Sequence, residues 1–286
     1  MRVRAFAKIN RSLRVLGTRP DGYHELRTIF QSIALHDTLT IRAIRGPFRL
    51  TCDDPACPVD DTNLIARAAA AMWKGSGRRG APGGVAIDLK KRIPMQAGLG
   101  GGSSDGAAAL RALARRWRVS DAKVEEAAEA LGADVPYFLE GGAMLGLERG
   151  DLLFRLAEPT PSWVVLVLPD FGVSTRDAFG WFDAPRARGS QPSGRRSSQR
   201  LALHLLVNDL EAPVAARHPE IGRIISALRR SGASQASMSG TGSAVFGLFS
   251  SRPAAIRAEK RLNLAGRRTL VTRTLSHKIY QTLAAT

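Results

Sequence analysis

The run Pro94-Met-Gln-Ala-Gly-Leu-Gly-Gly-Gly-Ser-Ser-Asp-Gly-Ala-Ala-Ala-Leu110 sets Gly98, Gly100, Gly101 and Gly102 directly before an alanine-rich helical segment. Glycine makes φ > 0 accessible and puts no Cβ in the way, so backbone N–H groups can converge on a ligand. The unpaired amides of the helix's first turn, together with its dipole, complete a site for an anion. Ser103 and Ser104 stand where hydroxyls cap the helix and also donate to phosphate oxygens. The segment from Pro94 through Leu99 to Ser104 thus describes a cradle for a polyphosphate. The P-loop pattern fails because no lysine precedes Ser103, and a Rossmann fingerprint would need glycine at Ser103. The catalytic-loop and metal-binding triplets of protein kinases are missing from the sequence. Taken alone, the loop also reads as a glycine-rich hinge between a strand and a helix.

Four further segments carry groups that could act on a phosphate. Lys8 and Asn10 lie two apart in Ala7-Lys8-Ile9-Asn10, on one face of a strand. Arg19-Pro-Asp-Gly-Tyr-His-Glu-Leu26 reads as a turn followed by an aromatic ring, Tyr23, and an imidazole, His24. Asp134 falls just past a helix end in an apolar setting, within Leu131-Gly-Ala-Asp-Val-Pro-Tyr-Phe138. Gly240, Thr241 and Gly242 form a second small-residue loop that feeds a strand. Singly, each has an ordinary reading: a solvated strand lysine, a turn histidine, a loop carboxylate, a tight turn. Five such segments together are a stronger signal than any of them alone.

The elements that must hold these groups alternate along the chain. Apolar and β-branched residues predict strands over 2–16 and 26–35, and alternation predicts another over 38–44. Asp61-Thr62 caps an alanine-rich helix running to about Trp73, and 85–89 reads as a strand leading into the glycine loop. Helices follow over 103–117 and from Ser120-Asp121 to Gly132. Strands are expected at 141–147, 164–168, 244–249 and 269–274, and helices at 201–210, 220–230 and 254–263. Residues 184–200, rich in arginine, serine, proline and glycine, read as a long flexible loop. Glu158-Pro-Thr-Pro161 interrupts the pattern, which places a domain join near 150–162. The class is α+β.

With 42 basic and 25 acidic side chains the net charge is +17, which first raises nucleic acid as a partner. Only 7 of those bases are lysine, however, and the 35 arginines are scattered without interleaved aromatics. Phosphorylated small molecules suit the same field, and nucleic acid is not expected as the main partner. No apolar run approaches the length of a membrane span, and the N-terminus lacks the core of a signal peptide. A cytoplasmic protein without membrane association is therefore expected. The five histidines and two cysteines show no zinc-ligand spacing.

The set of segments resembles the GHMP kinases, whose glycine-rich ATP loop looks like 94–109. Within that family, Lys8-Ile-Asn10, Asp21-Gly-Tyr-His-Glu-Leu26, Gly98 to Asp105 and Leu131-Gly-Ala-Asp-Val-Pro136 are similar to the branch acting in the non-mevalonate isoprenoid route. Its acceptor is a cytidylated methylerythritol diphosphate. The resemblance implies an N-terminal ribosomal-protein-S5-like domain over 1–155 and a smaller C-terminal α/β sandwich domain over 156–286, with the active site between them. It implies Asp134 as catalytic base with Lys8 as its partner, and ATP held by Pro94, Gly98 to Gly102, Ser103 and Ser104 together with Mg²⁺. Asn10, Asp134, Gly240, Thr241 and Gly242 would contact substrate, Tyr23 and His24 the cytidine, and Phe179 would stack on the far side of the base. The metal ligands and the oligomeric state are not specified. Two readings stay open beside this one: a family member acting on homoserine or mevalonate, and an RNA-binding protein built on an S5-like domain.

Overall fold

The computed structural model describes residues 1–184, 206–263 and 267–284. Two long strands, β1 (Arg2–Thr18) and β2 (His24–Pro47), pair antiparallel around the turn at 19–23. They are followed by β3 (Arg49–Cys52), α1 (Leu64–Gly75), β4 (Gly83–Lys90), α2 (Gly101–Trp117), α3 (Asp121–Leu131), α4 (Val135–Glu140), β5 (Ala143–Glu148) and β6 (Leu152–Arg155). These strands form a six-stranded sheet in the order β3-β4-β2-β5-β6, with β1 also paired to β2. The second half comprises β7 (Trp163–Pro169), α5 (Thr175–Asp183), α6 (Glu211–Arg217), α7 (Pro219–Arg230), β8 (Gln235–Met238), β9 (Val245–Phe249), α8 (Arg252–Leu262), β10 (Arg267–Arg273) and α9 (His277–Ala284). Its sheet is four-stranded, ordered β10-β7-β9-β8. Residues 156–162 between the two sets carry no regular element.

Three apolar clusters hold these layers together. Ile65, Ala68 and Met72 of α1 and Leu110, Leu113 and Trp117 of α2 pack on Leu39 and Ile87 of the first sheet. On α7, Ile221, Ile224, Ile225 and Leu228 follow helical spacing and bury one face against Val165, Val167 and Phe249. Between the sheets, Ala7, Ile9 and Ile33 meet Leu166, Phe246 and Leu248, together with Ala97 and Leu99 of the glycine loop. The loop is thereby anchored where the two sheets meet. The last helix, α9, returns to the first sheet, with Tyr280 packed beside Phe6 and Leu275. Among the described residues no helix is long and apolar enough to cross a membrane.

Several sequence expectations need correcting. The strands expected at 26–35 and 38–44 are one continuous strand, because Asp37 is not a break. It is fully buried, and its carboxylate accepts from the backbone N–H groups of Arg92 and Ile93. The cap of α1 is Asn63 rather than Asp61-Thr62, its Oδ1 accepting from the Ile65 amide at 2.8 Å. Asn63→Ala should lower stability by about 1 kcal/mol, the usual value of such a cap; an unchanged denaturation midpoint would contradict the assignment. The helix after the loop starts at Gly101 instead of Ser103, so two glycines lie inside its first turn. Of the helix expected over 201–210, residues 201–205 lie outside the described residues. Residues 206–210 are not helical, because Asn208 bridges to Leu13 of β1 and its Nδ2 donates to the Met238 and Gly240 carbonyls. The long loop expected over 184–200 lies, beyond residue 184, outside the described residues as well.

Candidate active site

Strand alternation turns Ala7 and Ile9 into the core and Lys8 and Asn10 toward the glycine loop. Lys8 is 4% exposed, and its ammonium donates to Asn10 Oδ1 and lies 3.6 Å from Asp134 Oδ2. Asn10 is oriented in turn: its Nδ2 donates to Thr28 Oγ1 at 2.7 Å, and that hydroxyl donates to the Ser12 carbonyl. Asp134 sits in the two-residue link after Gly132, at the N-cap position of α4, yet its side chain caps nothing. Its carboxylate is half-buried and open to the cleft. Burial pushes the Lys8 ammonium below the ordinary lysine range, and the neighbouring Asp134 charge opposes that shift.

The glycine loop closes over this pair. Lys8 N–H donates to the Leu99 carbonyl at 3.0 Å, which ties β1 to the loop. Gly100 has φ +71°, and a Cβ there would lie 2.6 Å from the Phe138 ring and 3.2 Å from Lys8 Cγ. Gly98 also has φ +71°, and a Cβ there would come within 2.0 Å of the Ser239 carbonyl oxygen. The second small-residue loop is therefore built against the first, with Ser239 Oγ donating to the Gly98 carbonyl at 2.8 Å. At the start of α2 no side chain caps the helix, and Gly101, Gly102 and Ser103 line the cleft.

A buried polar cluster that the sequence reading missed lies beneath this helix start. Pairing of Thr38 with Lys90 brings Asp37 beside Lys91, whose ammonium donates to Asp37 Oδ2 at 2.5 Å and to Asp105 Oδ2 at 2.9 Å. The same ammonium would lie 3.3 Å from a Cβ on Gly101. Burial pushes the Asp105 carboxyl up to about 8; Lys91 opposes the shift and Asp37 reinforces it. The folded chain thus keeps a proton that the unfolded chain has already released. That contribution is full below the ordinary aspartate range and lost as pH rises through about 8. Asp105→Asn keeps the shape and removes the titration, so it should melt no lower than wild type at alkaline pH. A variant that loses several degrees there would contradict this assignment.

One cleft of about 1050 Å³ takes in most of the residues singled out from the sequence. At that volume the cleft lies at the top of the roughly 300–1,000 Å³ range of small-molecule pockets. Its lining includes Lys8, Asn10, Tyr23, His24, Pro94, Gly98 to Gly102, Ser103, Asp134, Phe179, Gly240 and Thr241. Two expected contacts are not presented to it. The Ser104 hydroxyl turns inward and donates to the Phe6 carbonyl at 2.7 Å, and Gly242 is buried behind Thr241, off the cleft lining. Phe179 reaches the cleft, and one face of its ring lies on the His24 imidazole, centroids 4.5 Å apart at 18°. Tyr23 is 60% exposed, with the Arg149 guanidinium 5.6 Å from its ring centroid. Among the described residues no three His, Cys, Asp or Glu side chains are grouped to hold a metal ion.

The chain is similar to known proteins along most of its length. The model of the GHMP kinases N terminal domain matches residues 63–142, and that of the GHMP kinases C terminal domain matches 194–268. The chain is 42% identical to a 4-diphosphocytidyl-2-C-methyl-D-erythritol kinase of Moorella thermoacetica, covering 95% of this chain and 98% of that protein. It is 40% identical to the protein of the same name from Pelotomaculum thermopropionicum, covering 96% and 98%. Among solved structures, a 4-(cytidine 5'-diphospho)-2C-methyl-D-erythritol kinase superposes with TM-score 0.79 at 35% identity over 96% of this chain and 99% of that one. A homoserine kinase from Cytophaga hutchinsonii, 19% identical with TM-score 0.66 over 96% and 95%, shares the fold.

Proposed function

Because the chain belongs to the GHMP kinase family, and within it to the 4-diphosphocytidyl-2-C-methyl-D-erythritol kinases, we propose that it moves the γ-phosphoryl group of ATP to the 2-hydroxyl of that cytidylated alcohol. The observation that carries this reading is the Lys8–Asp134 pair, set between an uncapped helix start and the Tyr23–His24 edge of one cleft. The triphosphate lies along Gly98 to Ser103, where free amides and the α2 dipole meet negative charge. The cytidine lies toward Tyr23 and His24, and the alcohol between them beside Asn10.

Phosphoryl transfer is mainly positioning and charge stabilisation. Asp134 accepts the hydroxyl proton as the alcohol oxygen bonds to the γ-phosphorus, and the bond to the β,γ-bridging oxygen breaks to release ADP. Lys8 orients the alcohol and offsets the charge on the transferred group. The Ser103 hydroxyl, on the cleft lining, would be at hand to hold a Mg²⁺ ion that arrives on the nucleotide's phosphates. Bound there, the ion would neutralise phosphate charge. The proposal includes a division into two domains near residue 155, with α9 returning to the first, and action in the cytoplasm.

A panel of acceptors tests the function. With ATP, the purified chain should release ADP on addition of the cytidylated methylerythritol and not on addition of homoserine or mevalonate. Faster turnover with either of those would overturn the reading.

A further inference from the structure

The Asn10 amide has two ends, an oxygen and an NH2 group, and only the oxygen accepts from the Lys8 ammonium. Thr28 on β2 selects the end. β1 carries an extra residue between Asn10 and Ser12, so Thr28 stands opposite Leu13 and its hydroxyl donates to the Ser12 carbonyl at 2.7 Å. A carbonyl has no proton to give, so the single Thr28 proton is committed there and Oγ1 faces Asn10 as an acceptor. Only the NH2 end of the amide satisfies that acceptor, which leaves Oδ1 turned to Lys8. The Thr28 rotamer is held as well. Its methyl fills the space beside Gly146, where a Cβ would lie 3.1 Å from Thr28 Cγ2. Thr28, Asn10 and Lys8 are all buried, so bulk water does not stand in for these bonds.

We propose that Thr28 is a positioning residue for the phosphoryl transfer: its hydroxyl fixes the rotation of the Asn10 amide, and through it the place of the Lys8 ammonium beside Asp134. The inference rests on the role given to Lys8 above and adds what holds that cation in place. A lysine carries its charge on a flexible four-carbon stem, so the ammonium stays put only where acceptors pin it. Two do so here: Asp134 at 3.6 Å and Asn10 Oδ1 on its own strand. Asp134 gains a proton from the acceptor alcohol during transfer and its charge is lost, which leaves Asn10 as the anchor that does not change. Without the Thr28 hydroxyl the amide is free to turn. Its NH2 end would then set donor against donor at Lys8. A group displaced by about 1 Å can cost as much as ~10²-fold in rate.

Thr28→Val keeps the branched shape and removes the hydroxyl, whereas Thr28→Ser keeps the hydroxyl. With ATP and the cytidylated acceptor, Thr28→Val should lower kcat by about tenfold or more with KM for ATP within a few-fold of wild type, and Thr28→Ser should recover most of the rate. In an Asn10→Ala background the Thr28→Val change should cost nothing further, because residues that act as a unit are not additive. The Lys8 ammonium is also followed by NMR in the unliganded full-length chain, its signal assigned through Lys8→Met. Among the described residues Asp134 is the charged group paired with Lys8, and Leu99, Gly100 and Phe30 beside it carry no charge. With Asp134 unchanged, Lys8 should lose its proton at a lower pH in Thr28→Val than in wild type, since it loses an acceptor that favours its charged form. A Thr28→Val protein that keeps either the wild-type kcat or the wild-type Lys8 titration would overturn the proposal, as would a loss that adds in full to that of Asn10→Ala. Should the valine variant not fold, Thr28→Ala removes the same hydroxyl with less bulk and is judged by the same outcomes. Wild type that ignores the cytidylated acceptor would overturn the assignment of the acceptor, while the Lys8 titration would still decide the hold on the ammonium.

Discussion

Asp134→Asn should lower kcat by at least ~10²-fold, the low end for a positioned acid–base group, with KM for ATP close to wild type. The substitution keeps the volume of the side chain and removes its charge and its basicity. The Asp134 carboxylate caps no helix and is partly open to solvent, so the cost to the fold comes through Lys8, whose buried ammonium loses the charge beside it. Its effect on Lys8 adds to the loss. Burial already disfavours the Lys8 ammonium, and the Asp134 charge is what opposes that shift. Without the carboxylate, the neutral amine gains population in the site that needs a cation. Steady-state kinetics beside a thermal melt separate chemistry from folding. A kcat within a few-fold of wild type, with the melt unchanged, would remove Asp134 from the reaction.

Gly98→Ala should be the most damaging substitution to the fold. A Cβ at that position would lie 2.0 Å from the Ser239 carbonyl, a backbone atom that cannot swing aside. The backbone around it is held from both sides: Ser239 Oγ donates to the Gly98 carbonyl, and the Ala244 amide donates to the Ala97 carbonyl at 3.2 Å. Relief would require the two loops to part where the sheets meet. The expected loss is at least ~3 kcal/mol, at the upper end for overpacking combined with a forced positive φ. Gly102→Ala is the internal control, since its Cβ would meet no atom within 4 Å. That variant should denature within about 1 kcal/mol of wild type, as expected for alanine in a helical turn. Equal midpoints for the two variants in urea would show that the close approach at Gly98 is not structural.

The parts of the site that could be read from the sequence are those written in short spacings. Lys8 and Asn10 follow from strand alternation, Asp134 from its place after Gly132, and the proposed phosphate cradle from glycines before a helix. The Asp37–Lys91–Asp105 cluster was not readable, because three separate segments meet only through the pairing of β2 with β4. Asp37 looked like a break between strands; its acceptor role depends on chain that arrives more than fifty positions later, at Arg92 and Ile93. Ser104 carried the right residue type for phosphate, yet the rotation of α2 turns its hydroxyl to Phe6. The segment over α5, which adjoins the arginine-rich stretch, was assigned no element from the sequence. Its hold on His24, through Phe179, Phe182 and Asp183, is tertiary and leaves no local signature. The missed cap at Asn63 is a smaller case of the same kind, since Asp61, Thr62 and Asn63 are all capping residue types and only the entry path of the chain selects among them.

The claim on which the rest depends is that the glycine loop and the start of α2 hold the triphosphate tail and aim its end at the space between Lys8 and Asp134. A crystal structure with a non-hydrolysable ATP analogue and the cytidylated acceptor tests it directly. The account predicts the phosphates against the amides of Gly100 to Ser103, with the acceptor hydroxyl between the terminal phosphate and the Asp134 carboxylate. Phosphates lodged elsewhere in the cleft, or a hydroxyl beyond the reach of both Lys8 and Asp134, would contradict it.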